Sequence, residues 1–347
     1  MKSGMFYLFE TLGKKSVTDL YHQALSECCY GEELGFTGAH PAEHHFSTHY
    51  GIMPRVELFL AALSTRTTRL RLIPSVIVAA LSDPVRLAED SAMLDILSNG
   101  RFTYSIGAGY RKYEFAKLGV DVEENRSRLR EAAEIAELAW KQEKFSYKGH
   151  HHQIEDLQIV PKPERKDGSV PEIWINTGTP DQLVWAAQRG YVVLPTAGFS
   201  VASFKKDRDT YVAESKQAGH NPAKIEAPFF KWIYVGETDQ KAQETGQKAF
   251  LETIQAFFVG GERLIAQLTK RIQLPPEMMG DPNKLLLSPD LGAFVCGSPE
   301  TVARQLRSFR DAGATYFIGG FNIGALPTEK VRRSMELYAK EVAPALA

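Results

Sequence analysis

The chain has 347 residues, 44% hydrophobic and 24% charged, an ordinary globular balance that indicates neither a disordered chain nor a membrane span. Its 41 Lys and Arg against 42 Asp and Glu leave a formal net charge of −1, without the basic surplus of a nucleic-acid binder. The three cysteines, Cys28, Cys29 and Cys296, show no CxxC or Cys/His zinc spacing, and this points to a reducing, cytoplasmic setting.

The opening MKSGMFYLFETLGKK has no apolar stretch of signal-peptide length and reads as a first strand, Met5 to Phe9. A helix follows over Val17 to Leu34, with Leu20, Ala24, Leu25 and Cys28 on one face. Phe36 to His40 is a second strand, Arg55 to Ser64 a helix and Leu70 to Val78 a third strand. Asp83 and Pro84 open a helix to Leu97 that stops at Asn99-Gly100, before a strand over Phe102 to Gly107. NRSRLREAAEIAELAW predicts a strong helix. Beyond it come strand Glu172 to Asn176, helix Pro180 to Arg189, strand Tyr191 to Leu194 and helix Val201 to Ala218. Strand Phe229 to Val235, helix Asp239 to Phe257, helix Pro299 to Ala312, strand Tyr316 to Gly320 and helix Glu329 to Val342 complete the chain.

Eight strands alternating with helices predict one domain over residues 1–347, a (β/α)8 barrel of the TIM type. A doubly wound sheet is the alternative, but no GxGxxG follows the first strand. Two stretches fall outside the repeat, about 145–170 and 260–292. They are expected to be irregular insertions at the carboxyl-end face, acting as lids or binding loops.

In such a barrel the chemistry sits at the carboxyl ends of the strands. After the second strand comes AHPAEHHFSTHYG, where an imidazole could act as a general base. A metal cluster, or histidines that only cap and pack, are the competing readings, and no matching Asp or Glu ligand motif accompanies them. Ile73-Pro74-Ser75-Val76 puts small groups at a strand end, where a flat ligand could lie against backbone or where the chain only turns. Gly107, Ala108 and Gly109 leave similar room. Gly178 and Thr179 stand at the positive end of the next helix and suit a phosphate, with Thr179 as a simple N-cap in competition. Arg126 and Arg128 could reach the same anion or merely pair with Glu124 and Glu131.

Taken together, EHHFSTHYG, PSVIVAALSDPVRLAED, LSNGRF with SIGAG, PEIWINTGTPDQLVWAAQRG and GSPETVARQLRSFRDAGATYFIGGF resemble the bacterial luciferase-like flavin monooxygenases over nearly the whole chain. The resemblance implies reduced FMN bound at the carboxyl end, its reaction with O2 to a flavin hydroperoxide, and oxygenation of a small organic substrate. It implies His44 as the catalytic base. His45 would turn toward a subunit contact and pair with Glu89 or Asp90 of a homodimer partner. Ser75 and Val76 fall where the family has a non-proline cis peptide against the flavin ring, and Gly107 and Ala108 fall beside the ring or ribityl chain. Gly178, Thr179 and one arginine, Arg128 in preference to Arg126, match the phosphate site.

Where luciferase has Cys-Arg after the fourth strand this chain has Gly107-Ala108, which speaks against carrying over light emission or an aldehyde substrate. The expected function is a two-component monooxygenase fed FMNH2 by a separate reductase, with no resident metal. The alternatives are a deazaflavin (F420)-dependent oxidoreductase and a non-catalytic flavin-binding protein. Phe9, Tyr110, Thr196 and Phe321 are expected to line the substrate pocket.

Overall fold

The computed structural model describes residues 1–195, 200–258, 287 and 293–347. Its strands are β1 (Lys2–Tyr7), β2 (Gly38–Pro41), β3 (Arg71–Leu72), β4 (Ile77–Val78), β5 (Tyr104–Gly107), β6 (Phe145–Lys148), β7 (Gln153–Leu157), β8 (Ile173–Thr177), β9 (Val192–Pro195), β10 (Pro228–Val235), β11 (Phe294–Gly297) and β12 (Tyr316–Gly320). The α-helices, in the same order, are α1 (Val17–Glu33), α2 (Val56–Ser64), α3 (Pro84–Leu97), α4 (Lys112–Leu118), α5 (Asn125–Lys141), α6 (Pro180–Gln188), α7 (Val201–Gln217), α8 (Asp239–Phe258), α9 (Pro299–Asp311) and α10 (Thr328–Leu337).

Two all-parallel sheets, β11-β10-β12-β1-β2-β3 and β4-β5-β8-β9, hold the strands of a (β/α)8 barrel, with β3 and β4 as halves of one strand and β11 added beside the carboxyl end of β10. The sheets meet inside the third strand, which Ile73–Val76 splits into β3 and β4, and a lone bridge from Leu72 to Phe102 spans the gap. At the opposite seam β9 and β10 lie side by side with no ladder between them among the described residues. The barrel is filled by Phe6, Ile73, Trp174, Val192, Leu194, Tyr316 and Ile318, and the helices pack their apolar faces on the outside. No described helix is long and apolar enough to cross a membrane.

Local sequence explains the helix limits. Asp83 accepts from Val85 N at 3.0 Å and Arg86 N at 2.9 Å ahead of Pro84, so α3 starts where the cap residues stand. Helix α5 buries Leu129, Ala132, Ala133, Ile135, Ala136, Ala139 and Trp140 on one face, as its apolar spacing requires.

Besides the split of the third strand, expected to run unbroken from Leu70 to Val78, the observed elements differ from the sequence expectation in four places. The first strand is Lys2–Tyr7 instead of Met5–Phe9, because Lys2 to Met5 pair in register with Tyr316 to Gly319. The stretch expected to be irregular at 145–170 contains the antiparallel hairpin β6–β7, rooted where α5 ends and β8 begins. The carboxylate of Glu131 collects the backbone N–H groups of His150, His151 and His152 at the hairpin tip, which reaches back to the first turns of α5. Strand β11 and helix α4 were not expected. Of the second insertion, 260–292, all but residue 287 lies outside the described residues.

Candidate active site

Strand β2 delivers the chain into Ala42-Glu43-His44-His45 at the carboxyl end of the barrel. The loop then folds back on itself, with His44 N donating to Met53 O at 2.9 Å and Ile52 N donating to Phe9 O at 3.2 Å. Gly51, at φ +63°, closes that fold, and a Cβ there would stand 2.7 Å from the His44 side chain. Only glycine combines this backbone with so close an approach.

The His44 ring is buried beside Tyr50 and Tyr110, at 5.2 and 6.1 Å between ring centroids. Its Nδ1 lies 3.1 Å from Glu114 Oε1. That carboxylate arrives on α4 from 70 residues away, and it also accepts the His45 N–H at 3.0 Å. Burial drives the His44 imidazole below its ordinary pKa, against the pull of Glu114. Burial works on Glu114 in the opposite sense, but the His44 ring, the His45 amide and Arg111 hold its carboxyl below the usual range. The pair is therefore a neutral imidazole and a carboxylate. With Nδ1–H donated to Glu114, Nε2 keeps its lone pair and the ring is oriented as a base.

Beside this pair the Ser75–Val76 peptide is cis. Ser75 N donates to Pro41 O at 2.8 Å and Glu43 N to Val76 O at 3.3 Å, so the cis segment is stitched to the strand that carries His44. The Ser75 hydroxyl lies 2.9 Å from His40 Nδ1, and His40 Nε2 lies 3.0 Å from the Tyr316 hydroxyl. Burial, helped by Arg71, keeps His40 well below its ordinary pKa. Gly107 is next in the row: paired with Val78 and Asn176, its Cβ position would lie 2.5 Å from Val76 Cγ2. Ala108 beside it is half-buried.

A further strand along, Thr179 caps α6 with no side-chain bond to a backbone N–H, and its buried hydroxyl bears instead on the Asp181 carboxylate. Gly178 before it is exposed. The first turn of α5 stands against this corner, with Gln182 Nε2 donating to Arg126 O at 3.5 Å and Arg130 bonded to Gln182 and Asp181 at 2.9 and 3.3 Å. Arg128 is committed to Glu124, 2.9 Å from Nε and 2.8 Å from Nη2. Arg126 is exposed, and its charge helps hold Asp181 low after burial and Thr179 have acted on it.

The structure thus brings His44, Ser75, Val76, Gly107 and Ala108 to neighbouring strand ends, with Gly178 and Thr179 at the far end of the row. His45, expected to turn toward a subunit contact, has its Nε2 2.8 Å from Glu43 of its own chain. Two expected pocket residues are core instead. Phe9 packs on Tyr21 and Phe59, and Phe321 on Phe36 and Tyr338. Tyr110 stays at the mouth, 55% exposed, and Thr196 lies outside the described residues. The sequence reading passed over Glu114, His40, Arg111 and Tyr50. The one available signal for Glu114 was a short amphipathic run, KYEFAKLG, with a single acid.

A sequence profile described as luciferase-like monooxygenase matches residues 1–316. The chain belongs to that family. The oxygenase component of a flavin-dependent trigonelline monooxygenase from Acinetobacter baylyi is 24% identical over 100% of this chain and 96% of its own length. Among solved structures, the monooxygenase RslO1 of Streptomyces bottropensis superposes with a TM-score of 0.86 at 24% identity, over all of both chains. The oxygenating constituent of 3,6-diketocamphane monooxygenase from Pseudomonas putida, a type II Baeyer-Villiger enzyme in complex with FMN, gives 0.82 at 19%, over 100% of this chain and 99% of that one. A coenzyme F420-dependent tetrahydromethanopterin reductase from Methanopyrus kandleri shares the fold with 0.76 at 19%, over 100% and 99%. The fold is thus shared by flavin-dependent monooxygenases and by an F420-dependent reductase.

Proposed function

We propose that the protein is the oxygenase component of a two-component monooxygenase that uses FMNH2 and O2 on a small organic substrate. The observation that carries this reading is the oriented His44–Glu114 pair at one end of a row of strand ends that continues through the cis peptide and Gly107 to Thr179 at the start of α6. A flat ring fits the half-exposed surface of Ser75 and Val76, and an anion fits the start of α6. Reduced FMN, when bound, supplies the electrons that activate O2.

The chain's own residues do the rest. Gly178, the Thr179 hydroxyl and Arg126 hold the phosphate; Arg126 is preferred to Arg128 because Glu124 already occupies the latter. Gly107 and Ala108 leave the ring its space. His44 Nε2 takes or returns a proton next to the reacting atoms, and the Glu114 carboxylate stabilises the imidazolium that results. A separate reductase supplies the reduced flavin, in keeping with the oxygenase-component name of the trigonelline relative.

Titrating the protein with FMN and with a deazaflavin cofactor under anaerobic conditions, then admitting O2, tests the reading. It expects tight FMN binding and substrate-dependent oxygen uptake. Deazaflavin binding in place of FMN would replace it with a hydride-transfer enzyme, and flavin binding without turnover would leave a flavin carrier.

Homodimerisation belongs to the same reading. Leu58 on α2 and Met93 and Leu97 on α3 are 73, 52 and 53% exposed, an apolar face of the kind a second copy covers. Sedimentation at micromolar concentration checks it, and a monomer there would refute it.

A further inference from the structure

A polar row runs through the apolar interior of the barrel, past Ile73, Trp174 and Ile318, and the His44 chemistry uses none of it. At the mouth the half-buried Ser75 presents its hydroxyl 2.9 Å from His40 Nδ1, and the Tyr316 hydroxyl lies 3.0 Å from His40 Nε2. His40 and Tyr316 are wholly buried. At the amino end of β2 the Thr37 hydroxyl bears on the phenol and donates its own hydrogen to Ser3 O at 3.0 Å. The chain clears space for the row, since a Cβ at Gly4 would stand 2.5 Å from Tyr316 Oη and 2.6 Å from His40 Nε2.

Burial, helped by Arg71, holds the imidazole neutral, with one N–H and one bare nitrogen. A hydroxyl on either side satisfies both tautomers. In the first, Tyr316 O–H donates to Nε2, Nδ1–H donates to Ser75 Oγ, and the Ser75 hydrogen is free to donate to a ligand at the mouth. In the second, Ser75 O–H donates to Nδ1 and Nε2–H to Tyr316 Oη, the phenol turns its hydrogen toward the Thr37 oxygen, and Ser75 meets the ligand with a lone pair. Neither state strands a buried N–H or creates a charge, so the two lie close in free energy. A flavin makes use of both, because its oxidised ring has bare acceptor nitrogens that reduction by two electrons and two protons converts to N–H donors. We propose that His40 is a positioning residue whose tautomer sets the Ser75 hydroxyl as donor to the oxidised flavin ring and as acceptor from the reduced one. This rests on the reading of Ser75 and Val76 as the seat of the ring.

Oxidised FMN and photoreduced FMN, titrated anaerobically into the full chain, test it through the ratio of the two dissociation constants. Tyr316→Phe removes a single oxygen and would strand an N–H at Nε2, so His40 is fixed with its hydrogen on Nδ1 and Ser75 stays a donor. Reduced FMN is then expected to bind roughly tenfold more weakly while oxidised FMN stays within about twofold. His40→Leu should move the ratio in the same direction, because the Ser75 hydrogen loses its acceptor. Ser75→Ala should weaken both forms alike, and Tyr316→Phe added to it should leave the ratio unchanged, as coupling along one row requires. In protein carrying isotope-labelled histidine, the bare and protonated nitrogens of His40, assigned by their loss in His40→Leu, should exchange places between the two bound forms. An unchanged ratio in a folded Tyr316→Phe, or one and the same tautomer with both forms, would overturn the proposal and leave the oxygenase reading standing. If Tyr316→Phe does not fold, the tautomer in the unaltered protein decides alone. Absence of FMN binding in either form would overturn the proposal together with that reading.

Discussion

The two ends of the site are built on opposite principles. At the β2 end His44 and Glu114 are buried, paired and electrostatically settled before any ligand arrives. At the α6 end Gly178 and Arg126 are exposed, and Thr179 starts the helix without a side-chain capping bond. A base needs desolvation and a fixed tautomer to be effective, so its surroundings must be complete in the folded chain. A phosphate site can be assembled from helix-end N–H groups and mobile cations that the anion itself gathers. The first end should therefore respond to substitution through turnover, and the second through flavin affinity.

The sharpest way to break this contrast is His44→Ala. Oxygen-transfer turnover, followed with photoreduced FMN, is expected to fall about 10²- to 10⁴-fold while FMN affinity is kept. Thermal stability should drop as well, since the substitution strands the buried Glu114 charge. Equal turnover would remove His44 from the chemistry.

Glu114→Gln comes next, with a loss of roughly 10- to 100-fold in turnover. Its pH profile is more telling. Because burial already lowers the His44 pKa and Glu114 raises it, the neutral base of the unaltered enzyme survives below the usual 6.5 and is lost only as the pH falls through the lowered value. Without Glu114 that acid limb should move to still lower pH, and an upward move would contradict the assignment. The same burial makes folding stability decline as the pH drops below the unfolded value, since the unfolded chain binds the proton first.

At the other end, Arg126→Gln should weaken FMN about tenfold, the size of one charge-assisted hydrogen bond, with little change in turnover at saturating flavin. Arg128→Gln should leave the affinity within about twofold, because Glu124 already holds that side chain. Comparing FMN with riboflavin in each variant isolates the phosphate contribution, and a larger effect from Arg128 would reverse the choice between the two. Thr179→Val should have the smallest effect, about three- to fivefold on FMN affinity, measured by flavin fluorescence.

Much of this was legible in the sequence, for physical reasons that differ from one element to another. The eightfold alternation, the Asp83-Pro84 start of α3 and the apolar face of α5 are local patterns that chain stereochemistry enforces wherever they occur, so the barrel and its helix limits could be read directly. Strand ends in a barrel converge, so Ser75, Gly107 and Gly178 could be named as neighbours from the strand assignment alone. Other features were decided only by tertiary structure. Met5–Phe9 and Lys2–Tyr7 read equally well as a strand, and pairing with β12 chose the second. Phe9 and Phe321 lie beside the mouth in sequence, but packing turned both into the core. The partner of His44 depends on a helix 70 residues away folding back against β2, a contact that no periodicity encodes. The pairing of Arg128 with Glu124, by contrast, is a local i,i+4 contact that the sequence already offered. The sequence by itself determined the elements and their order around the ring, because those follow from local stereochemistry and the burial of apolar faces. Only the tertiary structure decided which charges are desolvated and paired, because that depends on long-range contacts.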